Sequence, residues 1–133
     1  MSKALGFDVF LNSSYDEAIT AVTDELKKEG FGVLTEIDVK ATLKKKLDVD
    51  FRPYKILGAC NPVLAHKALT LVPEVGMLLP CNVTVAQEDD GRIHINIIDP
   101  QQMLGVVDHP GLEEIACDAE ERLRRVADAL KNQ

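Results

Sequence analysis

Two cysteine–asparagine pairs, Cys60-Asn61 and Cys81-Asn82, are the residues of this sequence best suited to chemistry. A cysteine just ahead of a helix N-terminus can have a lowered pKa, because the helix dipole favours its thiolate form. Two thiols and two amides brought together would suit an anion, a soft metal or thiol–disulfide chemistry. The sequence therefore indicates a small polar site, without naming its ligand.

A purely structural role for these pairs is the alternative. Free cysteine is among the most often buried residue types, and Cys81 would share its strand face with apolar neighbours such as Val83. Asn61 is explained by helix capping alone. Asn82 is less easily explained, because amides are depleted within strands unless they find a partner.

Other polar residues add little to this site. Glu36 lies between hydrophobic neighbours in a predicted strand, where it is either a ligand or base, or a residue of a sheet edge or a salt bridge. His66, His94 and His109 share no spacing and are predicted to lie at the surface. No Ser-His-Asp order, Walker loop or G-x-G-x-x-G string occurs, so we predict no catalytic residue, no cofactor and no metal ligand set. The predicted ligand-binding residues are Glu36, Cys60, Asn61, Pro62, Cys81 and Asn82.

The elements around the two pairs position them. Asn61 is a good N-cap and Pro62 suits the first helical position, so a helix is predicted from there to a stop at Pro73. A strand from Tyr54 precedes this helix, and alternating residues predict a second strand from Met77 to Val85. Two strands flanking one helix could therefore place the cysteines side by side in a sheet.

The spacing of apolar residues predicts the rest of the fold. The further elements are a strand from Leu5 to Leu11, a helix ending near Gly30, a strand from Phe31 to Ile37, a short helix after Asp38 with Leu47 on its apolar side, a strand from Ile93 to Ile97, a loop from Gln101 to Gly111, and a helix from Leu112 with Cys117 in the core. The turn at Glu88–Gly91 makes the last two strands an antiparallel hairpin. The order β-α-β-α-β-α-β-β-α predicts one α+β domain over residues 1–133, a mostly antiparallel sheet covered by helices.

Composition excludes several classes of function. The net charge is −7 and the sequence pI is about 4.9, which argues against binding nucleic acid or an anionic membrane. No apolar stretch approaches the roughly 20 residues of a membrane helix. Met1–Asn12 lacks the pattern of a secretory signal, and three widely spaced cysteines suit reduced thiols. We therefore expect a cytoplasmic protein.

The motifs carry a resemblance to a known family. The strings Y-K-I-L-G-A-C-N-P-x-L-A-x-x-A-L and G-M-L-L-P-C-N-V-x-V, a downstream D-P, and F-G-V-L-T-E-I-D-V at residues 31–39 resemble domain-of-unknown-function family 302. The resemblance implies a TATA-binding-protein-like α+β fold and a cytoplasmic homodimer of bacterial or archaeal type. It implies no activity, and a fold shared with a DNA-binding protein does not carry DNA binding.

Three functional hypotheses follow. The one we favour is a non-catalytic, cytoplasmic, homodimeric module that binds or senses a small molecule in a pocket at the two Cys-Asn motifs. The second is a redox or transfer enzyme that uses Cys60 as its thiolate and Cys81 as the resolving partner. In the third, a structural or adaptor protein, the motifs only set the fold.

Overall fold

The computed structural model describes residues 5–133, so residues 1–4 of the predicted domain and of the Met1–Asn12 segment lie outside it. Its elements are β1 (Gly6–Leu11), α1 (Tyr15–Lys28), β2 (Gly32–Asp38), α2 (Val39–Leu47), β3 (Tyr54–Cys60), α3 (Pro62–Leu71), a 3-10 helix (Pro73–Leu78), β4 (Cys81–Gln87), β5 (Ile93–Ile98), α4 (Pro100–Leu104) and α5 (Pro110–Lys131).

The five strands form one sheet in the order β1-β5-β4-β3-β2, and every neighbouring pair is antiparallel. The predicted α+β class and the β4–β5 hairpin are therefore confirmed. The first strand pairs with the last, and the second strand pairs with the third. As a result β1 and β2 are the two edges of the sheet, while β3, β4 and β5 lie inside it.

Helices cover one face of this sheet, where α1 and α5 contact the strands and α3 packs against α5. Ile95 of β5, Val85 of β4 and Leu123 of α5 are fully buried between the layers. Burying a side chain of this size stabilises the fold by about 1.5–3 kcal/mol. On the other side of the sheet, which we call the open face, the side chains Asp8, Phe10, Ile37, Asn82 and Asn96 are exposed. The predicted covering by helices is thus found on one face.

The central helix begins where the sequence predicts it. The Oδ1 atom of Asn61 accepts a hydrogen bond from the backbone N–H of Leu64 at 3.2 Å, and Pro62 occupies the first helical position. This bond satisfies one of the N–H groups that a helix N-terminus leaves unpaired. The helix ends at Leu71, just before Pro73.

Two boundaries differ from the prediction. The strand expected from Met77 begins only at Cys81, because residues 73–78 form the 3-10 helix and Pro80 follows a cis peptide bond. The loop expected from Gln101 contains α4, whose N-cap Asp99 accepts a hydrogen bond from the Gln101 N–H at 2.9 Å. In the sequence, apolar residues alternate from Met77 past Pro80, and this pattern predicted a strand longer than the one that forms.

Two predicted core positions lie at the surface instead. Cys117 is exposed, and its sulfur lies 4.0 Å from Glu121 Oε1 on the outer side of α5. None of the α2 side chains is buried, and Leu47 is 66% exposed. Helix α2 contacts mainly the edge strand β2 and its neighbour β3, so its apolar stripe has little surface to pack against. Among residues 5–133, no helix has both the length and the apolar character needed to cross a membrane.

Candidate functional site

A small cavity, partly open to solvent, lies where β3 and β4 meet the layer of helices. Its volume is about 30 Å³, and its walls come from β3, β4, α3, α4 and α5. Cys60, Asn61 and Cys81 line it, together with apolar side chains such as Leu64 and Ile115. A cavity needs about 10–15 Å³ to hold one water molecule, so this one admits a ligand of roughly that size.

The pairing of β3 with β4 brings the two cysteines to this cavity. Ala59 lies directly opposite Cys81 in the antiparallel register, which places Cys60 one residue from that pair. Both cysteines are free thiols, Cys60 partly exposed and Cys81 buried. Solvent can therefore reach the thiol of Cys60, whereas the thiol of Cys81 is buried.

Burial governs the protonation of both thiols. It raises the pKa of Cys60 above its usual value, and burial together with the nearby Cys60 raises the pKa of Cys81 to about 11. The expectation that the pKa of Cys60 is lowered is therefore wrong, because burial removes hydration from the thiolate and raises the pKa. At neutral pH both groups are thiols, and neither is an activated nucleophile.

Asn61 is fixed in place by the backbone around it. Its side chain is buried, and Oδ1 is occupied by the cap of α3. On the other side Gly30, with φ of 86°, passes so close that a Cβ atom there would lie 3.0 Å from Asn61 Nδ2. Glycine is suited to this position because it adopts positive φ without steric cost. Asn61 is thus a rigid polar wall of the cavity.

The other three predicted residues lie outside the cavity. Pro62 is exposed at the start of α3. Asn82 lines a shallow concavity of about 520 Å³ on the open face, because successive strand residues point to opposite sides of the sheet. Glu36, at the edge strand β2, pairs with Lys55 at 2.6 Å, which fits the salt-bridge alternative. The structure therefore joins three of the six predicted residues and separates the rest.

Sequence reasoning missed Met103 as a site residue. Met103 belongs to α4, in the segment predicted to be a loop, and it is among the residues that line the same cavity as the two cysteines. The Asp99-Pro100 pair, an N-cap followed by a first-turn proline, was the signal that could have revealed this helix.

A polar cluster on the open face was also missed. His94 Nε2 lies 3.0 Å from Asp8 Oδ2, and His94 Nδ1 lies 3.2 Å from Glu88 Oε1. The imidazole stacks on Phe10 with the ring centroids 4.1 Å apart, and Arg52 Nη1 donates to Glu88 Oε2 at 2.9 Å. This network ties β1 to β5 and to the β4–β5 turn, and it lies on the opposite side of the sheet from the cavity.

Comparison with known proteins places the chain in a family. Residues 7–130 match the sequence model of the family described as Domain of unknown function DUF302. The crystal structure of uncharacterized conserved protein DUF302 from Bacillus stearothermophilus is similar, with 36% sequence identity and a TM-score of 0.87. The similarity covers 96% of this chain and 99% of that one. No curated protein matches. The fold, the matched residues and the shared sequence together show that this chain belongs to the DUF302 family.

Proposed function

We propose that this protein is a non-catalytic binding or sensing module of the cytoplasm, and that its ligand occupies the cavity at Cys60, Asn61 and Cys81. One observation carries the proposal. Both cysteines of the paired motifs are among the residues that line a single small cavity, although they lie on different strands. A cavity lined by residues of two separate motifs, with a fixed amide among them, is better suited to holding a ligand than to packing alone.

The state of the thiols favours binding over catalysis. A cysteine nucleophile reacts as its thiolate, and enzymes lower the pKa of such a cysteine with cations or a helix N-terminus. Here burial raises the pKa of Cys60, and it raises the pKa of Cys81 to about 11. The alternative of a thiol-dependent redox or transfer enzyme therefore has less support.

The size of the cavity limits the ligand. Sites for drug-sized molecules typically enclose about 300–1,000 Å³, whereas this cavity measures about 30 Å³. The proposed ligand is accordingly comparable to one water molecule or one ion. Its walls are mostly apolar, with the amide of Asn61 and the two thiols as the polar or polarisable groups.

A cavity-filling variant tests this proposal. Ala65 of α3 lines the cavity and is half-buried, so Ala65→Leu should fill it. Ala21 of α1 is also a half-buried helical alanine, away from the cavity, and Ala21→Leu is the matched control. Thermal-shift screening of dissolved gases and of metal and other simple salts should find a ligand that stabilises wild type and Ala21→Leu. A ligand present at 100 times its Kd would add about 2.7 kcal/mol to stability.

The expected outcome is that Ala65→Leu and Cys60→Ala lose that stabilisation. If the screen finds no ligand, or if both variants respond as wild type does, the cavity is not a binding site.

We also propose that the module is a homodimer, as the family resemblance implies. The open face supports a contact between copies, because Ile37 and Phe10 there are 49% and 43% exposed. Phe10 lies on β1 and Ile37 on β2, so apolar side chains are exposed at both edges of this face. Sedimentation should give twice the chain mass of 14.6 kDa, and Ile37→Lys should shift the protein to monomer. Val63→Lys is the control, since Val63 on α3 is 64% exposed away from that face. A wild-type monomer would refute the dimer.

A further inference from the structure

We propose that the concavity at the centre of the open face binds a neutral, hydroxyl-rich small molecule of the saccharide or polyol class. The concavity measures about 520 Å³, which lies within the roughly 300–1,000 Å³ typical of small-molecule sites. It lies across the sheet from the cavity at Cys60, so this inference adds a second site to the proposed function. Its polar lining residues come from four strands: Asp8 of β1, Tyr54 of β3, Asn82 and Thr84 of β4, and Asn96 of β5.

The strand register aligns these polar residues on the open face. Asn96 lies directly opposite Asp8 of β1 and Thr84 of β4, so the three form a row across the sheet. The Cβ atoms of residues directly opposite each other in an antiparallel pair are about 4.5–5.5 Å apart. Asn82 is two residues before Thr84 on the same face and is therefore diagonal to Asn96, at about 7–8 Å. One sugar-sized ring can thus contact both amides.

The fold does not use these amides. Asn82 and Asn96 are exposed on the inner strands β4 and β5, and Thr84 is half-buried beside them. Within residues 5–133, the side chains of these three residues make no hydrogen bond to the rest of the protein, whereas Asp8 pairs with His94 at 3.0 Å. Amides are depleted within strands unless they have a partner, so two of them on adjacent inner strands indicate a partner outside the chain.

The charges at the concavity select a neutral ligand. No Lys, Arg or His is among the described residues that line it, so a phosphate or carboxylate group would find no counter-charge there. Asp8 is the one acidic residue of this lining, and its carboxylate already pairs with His94. Amides and hydroxyls both donate and accept hydrogen bonds, as the hydroxyl groups of a sugar do. Leu5 and Ile98 add apolar surface for the C–H groups of the ring.

The distribution of polarity over the open face also favours a ligand at its centre. Protein–protein interfaces generally have an apolar core and a polar rim. The open face shows the reverse, since Phe10 and Ile37 lie at its two edges. Asn82 and Asn96 lie at its centre. A contact between copies through those edges would leave the polar centre for a ligand, and the site itself needs only one copy.

A titration followed by NMR tests the site. The isotope-labelled full-length protein is titrated separately with glucose, ribose, trehalose and inositol, and with inorganic phosphate as the anionic comparison. At least one neutral probe should shift the side-chain amide signals of Asn82 and Asn96, and phosphate should shift neither. Asn82→Ala and Asn96→Ala each remove one hydrogen-bonding group from an exposed position, so the fold should persist and binding should weaken about 2–10-fold. The matched control is Asn132→Ala, at the exposed C-cap of α5, which should bind as wild type does.

Circular dichroism of each variant shows whether it folds. The inference is overturned if no neutral probe shifts the two amide signals, if both site variants keep wild-type affinity, or if Asn132→Ala weakens binding as much as they do. A larger response to phosphate than to the neutral probes also overturns it. Ala65→Leu fills the cavity at Cys60 and should bind the sugar as wild type does, so either site can fail while the other stands.

Discussion

The buried thiol of Cys81 should make the stability of this fold fall at alkaline pH. Its pKa is raised from 9.0 to about 11 in the folded protein, by burial first and by the nearby Cys60 second. Because the folded pKa lies above the unfolded one, the contribution to stability is complete below pH 9 and is lost as the pH rises towards 11. Replacing Cys81 with alanine removes the titrating group and should therefore remove this part of the decrease in stability with rising pH.

The magnitude follows from the two pKa values. At pH 8 the thiol keeps its proton in both states, whereas at pH 10 about 90% of the unfolded thiol and about 10% of the folded thiol are ionised. Linkage then predicts a loss of about 1.3 kcal/mol in the free energy of unfolding between pH 8 and pH 10. Tyr15, whose pKa is raised to about 12, adds an alkaline slope of its own that is common to wild type and variant.

Urea unfolding at one fixed protein concentration, with a reductant present, measures this effect. The free energy of unfolding is determined at pH 8 and at pH 10 for wild type, Cys81→Ala and Cys117→Ala. Between pH 8 and pH 10 the free energy of unfolding should fall by the same amount for wild type and for Cys117→Ala, because Cys117 is exposed. The free energy of unfolding of Cys81→Ala should be lower than that of wild type at pH 8, since the substitution leaves a small void. Its decrease between pH 8 and pH 10 should be smaller than that of wild type by about 1.3 kcal/mol.

The reasoning is refuted if wild type and Cys81→Ala lose the same stability between the two pH values. It is also refuted if Cys117→Ala flattens the pH dependence as much as Cys81→Ala does, because the effect would then not come from burial.

Three further substitutions test the packing around the site, each by urea unfolding at neutral pH. Asn61→Ala removes the cap acceptor of the Leu64 N–H and should cost about 1–2 kcal/mol; an unchanged midpoint would show that the cap is dispensable. Gly58→Ala places a methyl group 2.7 Å from the ring of Pro80 and should lower the free energy of unfolding by about 1–3 kcal/mol. An unchanged free energy of unfolding would mean that the backbone around Pro80 shifts to accommodate the methyl group. Glu88→Gln weakens a partly exposed ion-pair network and should cost less than about 1 kcal/mol; a larger loss would give that network a role beyond the surface.

Much of the fold was readable from the sequence because local rules decide it. The N-cap at Asn61, the proline after it and the alternation of Ile93, Ile95 and Ile97 each act within a few residues. The strand predicted from Met77 failed for the same reason. Alternation persisted there, but the backbone turned at the prolines and left Met77 84% exposed.

The site was readable only in part, because it depends on contacts between distant segments. That Cys60 and Cys81 flank one helix was visible, and their meeting required the antiparallel pairing of β3 with β4. The position of Met103 depends on how α4 folds back over the cavity. The protonation of the thiols depends on how completely the helices bury them, and the dipole argument from sequence alone had the wrong sign.

The position of β1 has a consequence for the newly made chain. Residues 6–11 leave the ribosome well before residues 93–98, yet these form β5, the only strand partner of β1 in the described fold. At about 5–20 residues per second, β1 waits roughly 4–16 s for that partner. During this interval its apolar side chains Phe7, Val9 and Leu11 are without their place in the sheet. The nascent protein is therefore most open to wrong pairing, or to a chaperone, until the β4–β5 hairpin has been synthesised.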